Sequence, residues 1–435
     1  MQYYSTNKKA PMATLEKAVV KGLAEDKGLY MPESIKPLPK EFFDNIDKMS
    51  FQEIAYTVAD AFFGEDVDAE SLKKIVYDTL AFDCPVVPVT DNIYTLELFH
   101  GPTLAFKDVG ARFMARLLQY FLKKNGNDKG NVNVLVATSG DTGSAVANGF
   151  LGVEGIHVYV LYPKGKVSPI QECQFTTLGK NITAIEVDGV FDDCQALVKN
   201  AFMDAELNAH MKLTSANSIN VARFLPQSFY YFNAYARMKA LGKADELVMC
   251  VPSGNFGNIC SALFGHQMGL PIKRFVAANN ANDIFYNYLQ TGEYHPQPSK
   301  ATLANAMDVG DPSNFARIYD LYKGDHKAIT SLISGATYKD EQIRATLQQC
   351  FAETGYILDP HGACGYQALK DLLKDGEIGV FCETAHPAKF KEKVDDILGT
   401  DIEIPQRLQD FMKGTKQSIA MSKDFADFKA FLMAE

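Results

Sequence analysis

The spacing of apolar residues changes part-way along the chain. Over residues 1–90, apolar side chains recur at helical spacing in segments 14–23, 51–63 and 72–82. A Pro-rich stretch, MPESIKPLPK, separates the first two of these segments. The pattern predicts a mainly helical N-terminal unit over residues 1–90.

From about residue 131 the apolar residues form runs of strand length, and a helical segment follows each run. The runs are VNVLVAT, HVYVLYP, ITAIEVDG, LVMCVPSG and RFVAANN. Repeated alternation of strand and helix favours parallel strands with helices on both faces. We therefore expect an α/β protein with two doubly wound parallel-sheet domains, a smaller one at 91–240 and a larger one at 241–435.

Ligands of such sheets bind beyond the carboxyl ends of the strands, where three loops stand out. The first is VPSGNFGN, residues 251–258, in which Gly254 and Gly257 let the backbone approach a ligand. A helix predicted to start near Ile259 offers free amides and a positive dipole end, which together suit a phosphate. The loop is neither a Walker A motif nor G-x-G-x-x-G. A turn that serves backbone geometry alone is the alternative.

The second loop is ATSGDTGSA, residues 137–145, which also joins a buried strand to a helix. Its hydroxyls, on Thr138, Ser139 and Thr142, add to exposed amides and suit a carboxylate or phosphate. The alternative is that Ser139 or Asp141 simply caps the helix.

The third segment is LFHGPTLAFKDVGARF, residues 98–113, in which Lys107 precedes a strongly amphipathic helix. Desolvation lowers the pKa of a lysine, and the neutral amine forms a Schiff base with an aldehyde cofactor. The alternative is an ordinary solvated lysine. Asp108 is placed to pair with Arg112, four residues further along the predicted helix.

The amino-acid composition limits which kinds of molecule the protein is expected to bind. The net charge is -10 over 435 residues, and the absence of a basic stretch argues against nucleic acid. The eight cysteines show no C-x-x-C pair, so we expect reduced thiols and no metal site. No signal-peptide pattern and no spanning apolar run are present, which leads us to expect a cytoplasmic protein without membrane attachment.

Six motifs, taken together and in order, resemble one family. They are GPTLAFKD, ATSGDTGSA, SANSIN followed by Arg223, VPSGNFG, LANAMDVGDPSNF and ETAHPAKF. This set is similar to the threonine synthases of the bacterial and fungal type, within the fold type II pyridoxal-phosphate enzymes. The motifs extend from residue 98 to residue 390, and the N-terminal KGLAEDKGLYMPE is similar too. Asn258 is a departure, since Asp is more usual there; a contact through the backbone amide would be unaffected.

The resemblance implies a lyase that converts O-phosphohomoserine and water to threonine and phosphate, as monomer or homodimer. It implies that Lys107 binds pyridoxal phosphate as a Schiff base and later moves protons, and that Thr384 meets the pyridine nitrogen. The cofactor phosphate would be held by Gly254, Asn255, Phe256, Gly257 and Asn258. The substrate would be bound by Thr138, Ser139, Gly140, Asp141, Thr142, Asn217, Ser218 and Arg223.

Several alternatives stay open on the sequence alone. Asn217 and Ser218 could be helix caps, and His100, His361 and His386, which flank motif segments, are interpreted as packed rather than catalytic residues. Another fold type II enzyme, such as a serine/threonine dehydratase or a cysteine synthase, would share the lysine and both anion loops. A non-enzymatic protein that holds a phosphorylated metabolite is a third possibility.

Overall fold

The computed structural model describes residues 1–126 and 132–435, so the change of apolar spacing at about residue 131 lies outside the described residues. The strands are β1 Gln2–Ser5, β2 Ala13–Thr14, β3 Tyr30–Pro32, β4 Val86–Pro88, β5 Ile93–Glu97, β6 Val132–Ala137, β7 Ile156–Pro163, β8 Ile182–Asp188, β9 Lys212–Ser215, β10 Leu247–Pro252, β11 Arg274–Asn279, β12 Ile333–Thr337, β13 Ile378–Glu383 and β14 Ile419–Ser422.

The α-helices alternate with these strands over most of the chain. They are α1 Leu15–Lys21, α2 Lys40–Asn45, α3 Phe51–Phe63, α4 Ala69–Thr79, α5 Lys107–Lys124, α6 Asp141–Phe150, α7 Pro169–Thr176, α8 Phe191–Met203, α9 Ala205–His210, α10 Val221–Phe224, α11 Phe229–Ala240, α12 Gly257–Gln267, α13 Ile284–Thr291, α14 Phe315–Leu321, α15 His326–Leu332, α16 Asp340–Thr354, α17 Pro360–Leu372, α18 Lys391–Leu398, α19 Gln406–Met412 and α20 Phe425–Met433. Short 3₁₀ helices lie at Ile46–Lys48, Leu225–Ser228, Asn305–Met307 and Pro387–Phe390.

The N-terminal unit contains the expected helices and also a small antiparallel sheet. Strands β2, β1 and β3 pair in that order. Helix α3 matches the predicted segment, with Ser50 as its cap, whereas α4 begins earlier than predicted because Asp68 caps it by accepting from the amide of Ser71. The sheet was missed because its strands are too short to show an alternating pattern.

Two further sheets carry the α/β part of the fold. In one, β14, β8, β7, β6 and β9 pair in that order, each parallel to its neighbour. In the other, β12, β11, β10, β13 and β5 are parallel, and β4 is added antiparallel at the edge. The central strands are buried along their length, as helices on both faces require.

The strand order does not follow the predicted domain ranges everywhere. Strand β5, within 91–240, pairs in the sheet of β10, and β14, within 241–435, pairs in the sheet of β8. The chain thus leaves one sheet at β5, runs through α5 and enters the other sheet at β6. The ranges themselves remain a prediction.

The loops singled out in the sequence follow the carboxyl ends of strands in both sheets. They follow β6, β9, β10 and β13, and the segment from β5 to α5 joins them. An isolated antiparallel bridge between Ala105 and Ala385 ties that segment to the loop after β13. The site therefore lies where the two sheets present their strand ends.

Candidate active site

Lys107 is the first residue of α5 and is partly buried. The segment before it is fixed by two backbone hydrogen bonds, from Phe106 N to Thr384 O at 2.8 Å and from His386 N to Leu104 O at 3.0 Å. Desolvation lowers the pKa of Lys107 to about 8, although the carboxylate of Asp141 acts in the opposite direction. This lysine is not an ordinary solvated surface charge, and a substantial fraction of its amine is neutral near pH 8.

Asp108, the next residue, holds the preceding loop rather than Arg112. Its carboxylate accepts from the amide of Thr103 at 3.0 Å and from the Thr103 hydroxyl at 2.5 Å. Arg112 donates instead to the carbonyls of Thr79 and Asp78. The predicted i, i+4 pair is wrong because Asp108 faces the buried side of α5, where Thr103 of the preceding loop is its partner.

The loop after β10 has the geometry of an anion cradle. Phe256 adopts a left-handed conformation, with φ of 68°, and α12 starts directly after it at Gly257, two residues earlier than predicted. A Cβ on Gly254 would lie 2.7 Å from the Cα of Met307, so only glycine fits there. The side chain of Asn258 is buried, and its Nδ2 has no hydrogen-bond partner among the described residues.

Asn255 links this loop to the segment that follows β9. Its Nδ2 donates to the hydroxyl of Ser218 at 2.5 Å, and its Oδ1 accepts from the amide of Ser313 at 2.7 Å. The side chain of Asn255 is therefore engaged in fixing the loops. The backbone of Asn255, rather than its side chain, is therefore the part of this residue that is suited to a phosphate.

The loop after β6 is organised by Thr138. The buried Thr138 hydroxyl accepts from the amides of Gly140 at 2.9 Å and Gly143 at 2.8 Å. The alternative that Ser139 or Asp141 caps α6 is wrong, because the residue before the helix is Gly140 and Thr138 serves these amides. Ser139 and Thr142 keep partly exposed side chains, whereas Asp141 points inward.

Arg223 is nearly fully buried on α10. It donates through Nη1 to the carbonyl of Ala216, while its Nε has no partner among the described residues. Burial lowers its pKa to about 10, so the guanidinium remains charged at neutral pH. A buried cation with an unpartnered N–H fits a nearby anion.

The caps predicted for this segment lie elsewhere. Asn220 caps α10 by accepting from the amide of Ala222 at 3.0 Å, so the alternative that Asn217 or Ser218 is the cap is wrong. Ser218 accepts from Asn255, and both Asn217 and Ser218 are partly exposed. These side chains are available at the site.

Thr384 is buried directly after β13, beside the segment that carries Lys107. Its neighbour Glu383 is also buried, and desolvation raises the pKa of Glu383 well above its ordinary value, which favours the neutral carboxyl. Glu383 Oε2 accepts from the amide of Asp359 at 3.1 Å. This bond ties the end of β13 to the start of α17.

One charged residue at the centre of the site was not predicted from the sequence. Lys389 is buried, its Nζ lies 2.5 Å from Asp141 Oδ1, and it donates to the carbonyl of Thr103 at 2.8 Å. The available signal was its position inside the quoted motif ETAHPAKF, where a lysine stands among apolar residues.

The histidines that flank the motifs have hydrogen-bond partners, and His361 is buried, whereas His100 and His386 are partly exposed. Their interpretation as packed rather than catalytic residues remains a prediction. His361 Nδ1 lies 2.5 Å from Asp359 Oδ2, and its Nε2 accepts from the amide of Ala306. His386 accepts from the amide of Ala388, and His100 lies 3.0 Å from Glu97.

Three family models match the chain. "Threonine synthase N terminus" matches residues 2–80, "Pyridoxal-phosphate dependent enzyme" matches 86–380 and "Threonine synthase, C-terminal" matches 362–432. A threonine synthase of Haemophilus influenzae is 44% identical over 433 residues, covering 100% of both chains. The chain belongs to the threonine synthase family.

Solved structures of threonine synthases agree with this assignment. The crystal structure from Escherichia coli has a TM-score of 0.92 and 41% identity, with 100% of both chains covered. The pyridoxal-phosphate-bound structure from Brucella melitensis has a TM-score of 0.93 and 33% identity, covering 100% of this chain and 99% of that one. The predicted fold class, two doubly wound sheets of the fold type II family, is confirmed. The non-enzymatic alternative is excluded.

The residues present fit the cofactor of a pyridoxal-phosphate-dependent threonine synthase. Lys107 supplies an amine of lowered pKa for an aldehyde. The amides at the start of α12 and the unpartnered Nδ2 of Asn258 suit a phosphate. Within the described residues no helix is long and apolar enough to cross a membrane, and no cluster of metal-ligating side chains is present.

Proposed function

We infer that this protein converts O-phosphohomoserine and water to threonine and phosphate, with pyridoxal phosphate bound through Lys107. The observation that carries the assignment of the site is the position of this lysine. Its amine has a lowered pKa, it lies within electrostatic reach of Asp141 and Arg223, and its segment is bonded to the loop after β13. The loop after β6, the buried Arg223 and the loop after β13 all act on this one amine or on its segment, which supports the proposal.

The cofactor is proposed to be held at both ends. Its phosphate would bind the backbone of Gly254, Asn255, Phe256, Gly257 and Asn258, where α12 begins. Thr384 would place its hydroxyl at the pyridine nitrogen. When bound, pyridoxal phosphate takes up the electron pair left on the substrate as a proton is removed.

Lys107 is proposed to be the acid and base of the reaction. Released from the cofactor, its amine takes the proton from Cα of the substrate. A pKa of about 8 leaves this amine able to accept and return protons near neutral pH. The same amine would take a proton from Cβ as phosphate leaves Cγ, and would later return protons to Cγ and Cα. Water is then added at Cβ, which leaves threonine.

The substrate is proposed to be held by its two anionic groups. The carboxylate would bind the loop after β6, at Ser139, Gly140 and Thr142, with Thr138 fixing the amides and Asp141 facing inward. The phosphate that leaves Cγ would bind Arg223, Asn217 and Ser218. Arg223 is charged, desolvated and has an unpartnered Nε, so its attraction for a phosphate is stronger than that of an exposed arginine.

We further propose a cytoplasmic enzyme that acts on a small molecule rather than on nucleic acid, as monomer or homodimer. The net charge of -10 supports a small-molecule substrate over nucleic acid. All eight cysteines are free, and all but Cys173 are buried, which suits a reducing compartment. Light scattering on the purified protein measures the oligomeric state.

The cofactor assignment is tested by absorption spectroscopy before and after borohydride reduction, followed by peptide mapping. The expected result is a yellow protein whose reduced cofactor is fixed on Lys107. The Lys107→Ala variant, as the control, should bind the cofactor without fixing it. A label on another lysine would refute the assignment.

The substrate assignment is tested with Arg223→Ala. Phosphate release from phosphohomoserine should fall far more than elimination from serine, because only the first substrate carries a phosphate. Arg112→Ala, which removes a nearby arginine that binds backbone carbonyls of the N-terminal unit, is the matched control. Equal loss on both substrates in Arg223→Ala would favour another fold type II activity.

A further inference from the structure

A second lysine occupies the centre of the proposed site. Lys389 lies on the 3₁₀ helix Pro387–Phe390 with 1% of its surface exposed. Its ammonium contacts Asp141 Oδ1 at 2.5 Å and the carbonyl of Thr103 at 2.8 Å. It therefore joins the loop after β13, the start of α6 and the segment before Lys107. Lysine is almost never fully buried unless it is paired, so the burial of Lys389 calls for a specific role of its ammonium inside the site.

Asp141 is the acidic group on which both lysines act. Besides Lys389, its Oδ1 accepts from Gln171 Nε2 at 3.0 Å. The pKa of Asp141 is lowered to about 2, since its attraction to Lys389 and then to Lys107 outweighs the desolvation that acts against ionisation. The carboxylate is thus ionised and shared electrostatically between two lysines.

The charges that act on the amine of Lys107 come from several elements. Asp141 on α6 raises its pKa, while Arg223 on α10 and Lys389 lower it. Asp108, on the same helix as Lys107, is bonded to Thr103. If Lys389 were removed, Lys107 would be the remaining lysine that acts on Asp141. A lysine that is paired with a carboxylate stays protonated, so the pKa of Lys107 would rise.

We propose that Lys389 is a positioning residue that keeps the Asp141 carboxylate paired with its own ammonium and so leaves the Lys107 amine free to react. An ammonium is neither a nucleophile toward an aldehyde nor a base, so Lys107 needs a neutral amine both for loading the cofactor and for proton transfer. The inference rests on the proposed role of Lys107. Lys389 itself touches neither reacting group.

The experiment measures the protonation of Lys107 in the full-length protein freed of cofactor. Trace acetic anhydride is added at a series of pH values, and mass spectrometry gives the acetylation rate of Lys107 relative to exposed Lys199 in the same sample. Lys389→Met, Asp141→Asn and the double variant are compared with the parent. Circular dichroism confirms that each variant is folded.

The three variants should move the midpoint of Lys107 acetylation in different directions. Lys389→Met should raise it and slow acetylation at pH 7 by about tenfold or more, since each unit of pKa changes the neutral fraction about tenfold. Asp141→Asn should lower the midpoint. The double variant should return close to the parent, which a general loss of packing would not produce.

The outcome that overturns the proposal is a Lys107 midpoint that is unchanged in Lys389→Met, or that stays raised in the double variant. If Lys389→Met does not fold, an Asp141→Asn midpoint that is not lowered overturns it equally. Lys429→Met is the matched control, because it removes a lysine paired with Asp204 and Glu206 far from the site, and should leave the midpoint unchanged. No cofactor is present, so this test is separate from the borohydride mapping of Lys107.

Discussion

Gly110 is placed where helix α5 meets the backbone of the proposed phosphate-binding arginine. It lies one turn after Lys107, and a Cβ added there would lie 2.4 Å from the carbonyl oxygen of Arg223 and 3.3 Å from its Nε. The carbonyl belongs to the backbone of α10, so it cannot rotate away as the end of a side chain can. To reach an ordinary contact distance, α5 and α10 must separate by about 1 Å.

The Gly110→Ala variant should therefore show a small loss of stability and a larger loss of activity. Overpacking costs about 1–3 kcal/mol, and the higher helix propensity of alanine returns up to about 1 kcal/mol. With a return of about 1 kcal/mol, the net fall in the free energy of unfolding should be about 0–2 kcal/mol. A displacement of about 1 Å at a positioning group can lower the rate by about 100-fold, so kcat/KM for phosphohomoserine should fall by about 10- to 100-fold.

The assay combines urea unfolding followed by circular dichroism with steady-state phosphate release. Gly265→Ala is the matched control, because this buried helical glycine on α12 has a ring carbon of Phe232 as its nearest neighbour, at 3.1 Å, and a side chain can yield. The control should keep its kcat/KM. A Gly110→Ala protein as stable and as active as the parent would show that the two helices are not in the close contact described.

Three further changes have definite outcomes. Thr138→Val should lower stability by about 2–4 kcal/mol in urea unfolding, because two loop amides lose their acceptor, whereas Thr138→Ser should not. Arg317→Met should lower the free energy of unfolding by about 3–5 kcal/mol, because the carbonyls of Tyr30 and Ile219 lose a charged donor. Arg317→Lys should not restore this stability, because one ammonium cannot replace the several N–H donors of the planar guanidinium. The pKa of Glu383 is raised in the folded protein, so the stability that this residue contributes at low pH is lost as the pH rises. Glutamine does not titrate, so the Tm of Glu383→Gln should increase relative to the Tm of the parent from pH 5 to 8.

Features that depend on residues adjacent in the chain could be predicted from the amino-acid sequence. Helix α3 buries one face, and strands β6 and β10 are buried on both faces. Each kind of burial leaves its own spacing of apolar residues, and that spacing was sufficient to predict these elements. The loop after β10 was recognised because its glycines and the following helix are contiguous. Lys107 was proposed as the cofactor lysine because a lysine beside a helix start and apolar residues is unusual.

The contacts between charged groups, in contrast, depend on how the folded chain brings distant segments together. The contact of Lys389 with Thr103 joins residues 286 positions apart, and no local pattern encodes such a distance. Asp108 binds Thr103, only five residues away, rather than Arg112, because the fold buries this pair and burial strengthens a hydrogen bond. An exposed helical pair is worth only a few tenths of a kcal/mol. The pKa of Lys107 is likewise set by desolvation and by Asp141, Arg223 and Lys389, groups that the fold brings together from three separate segments.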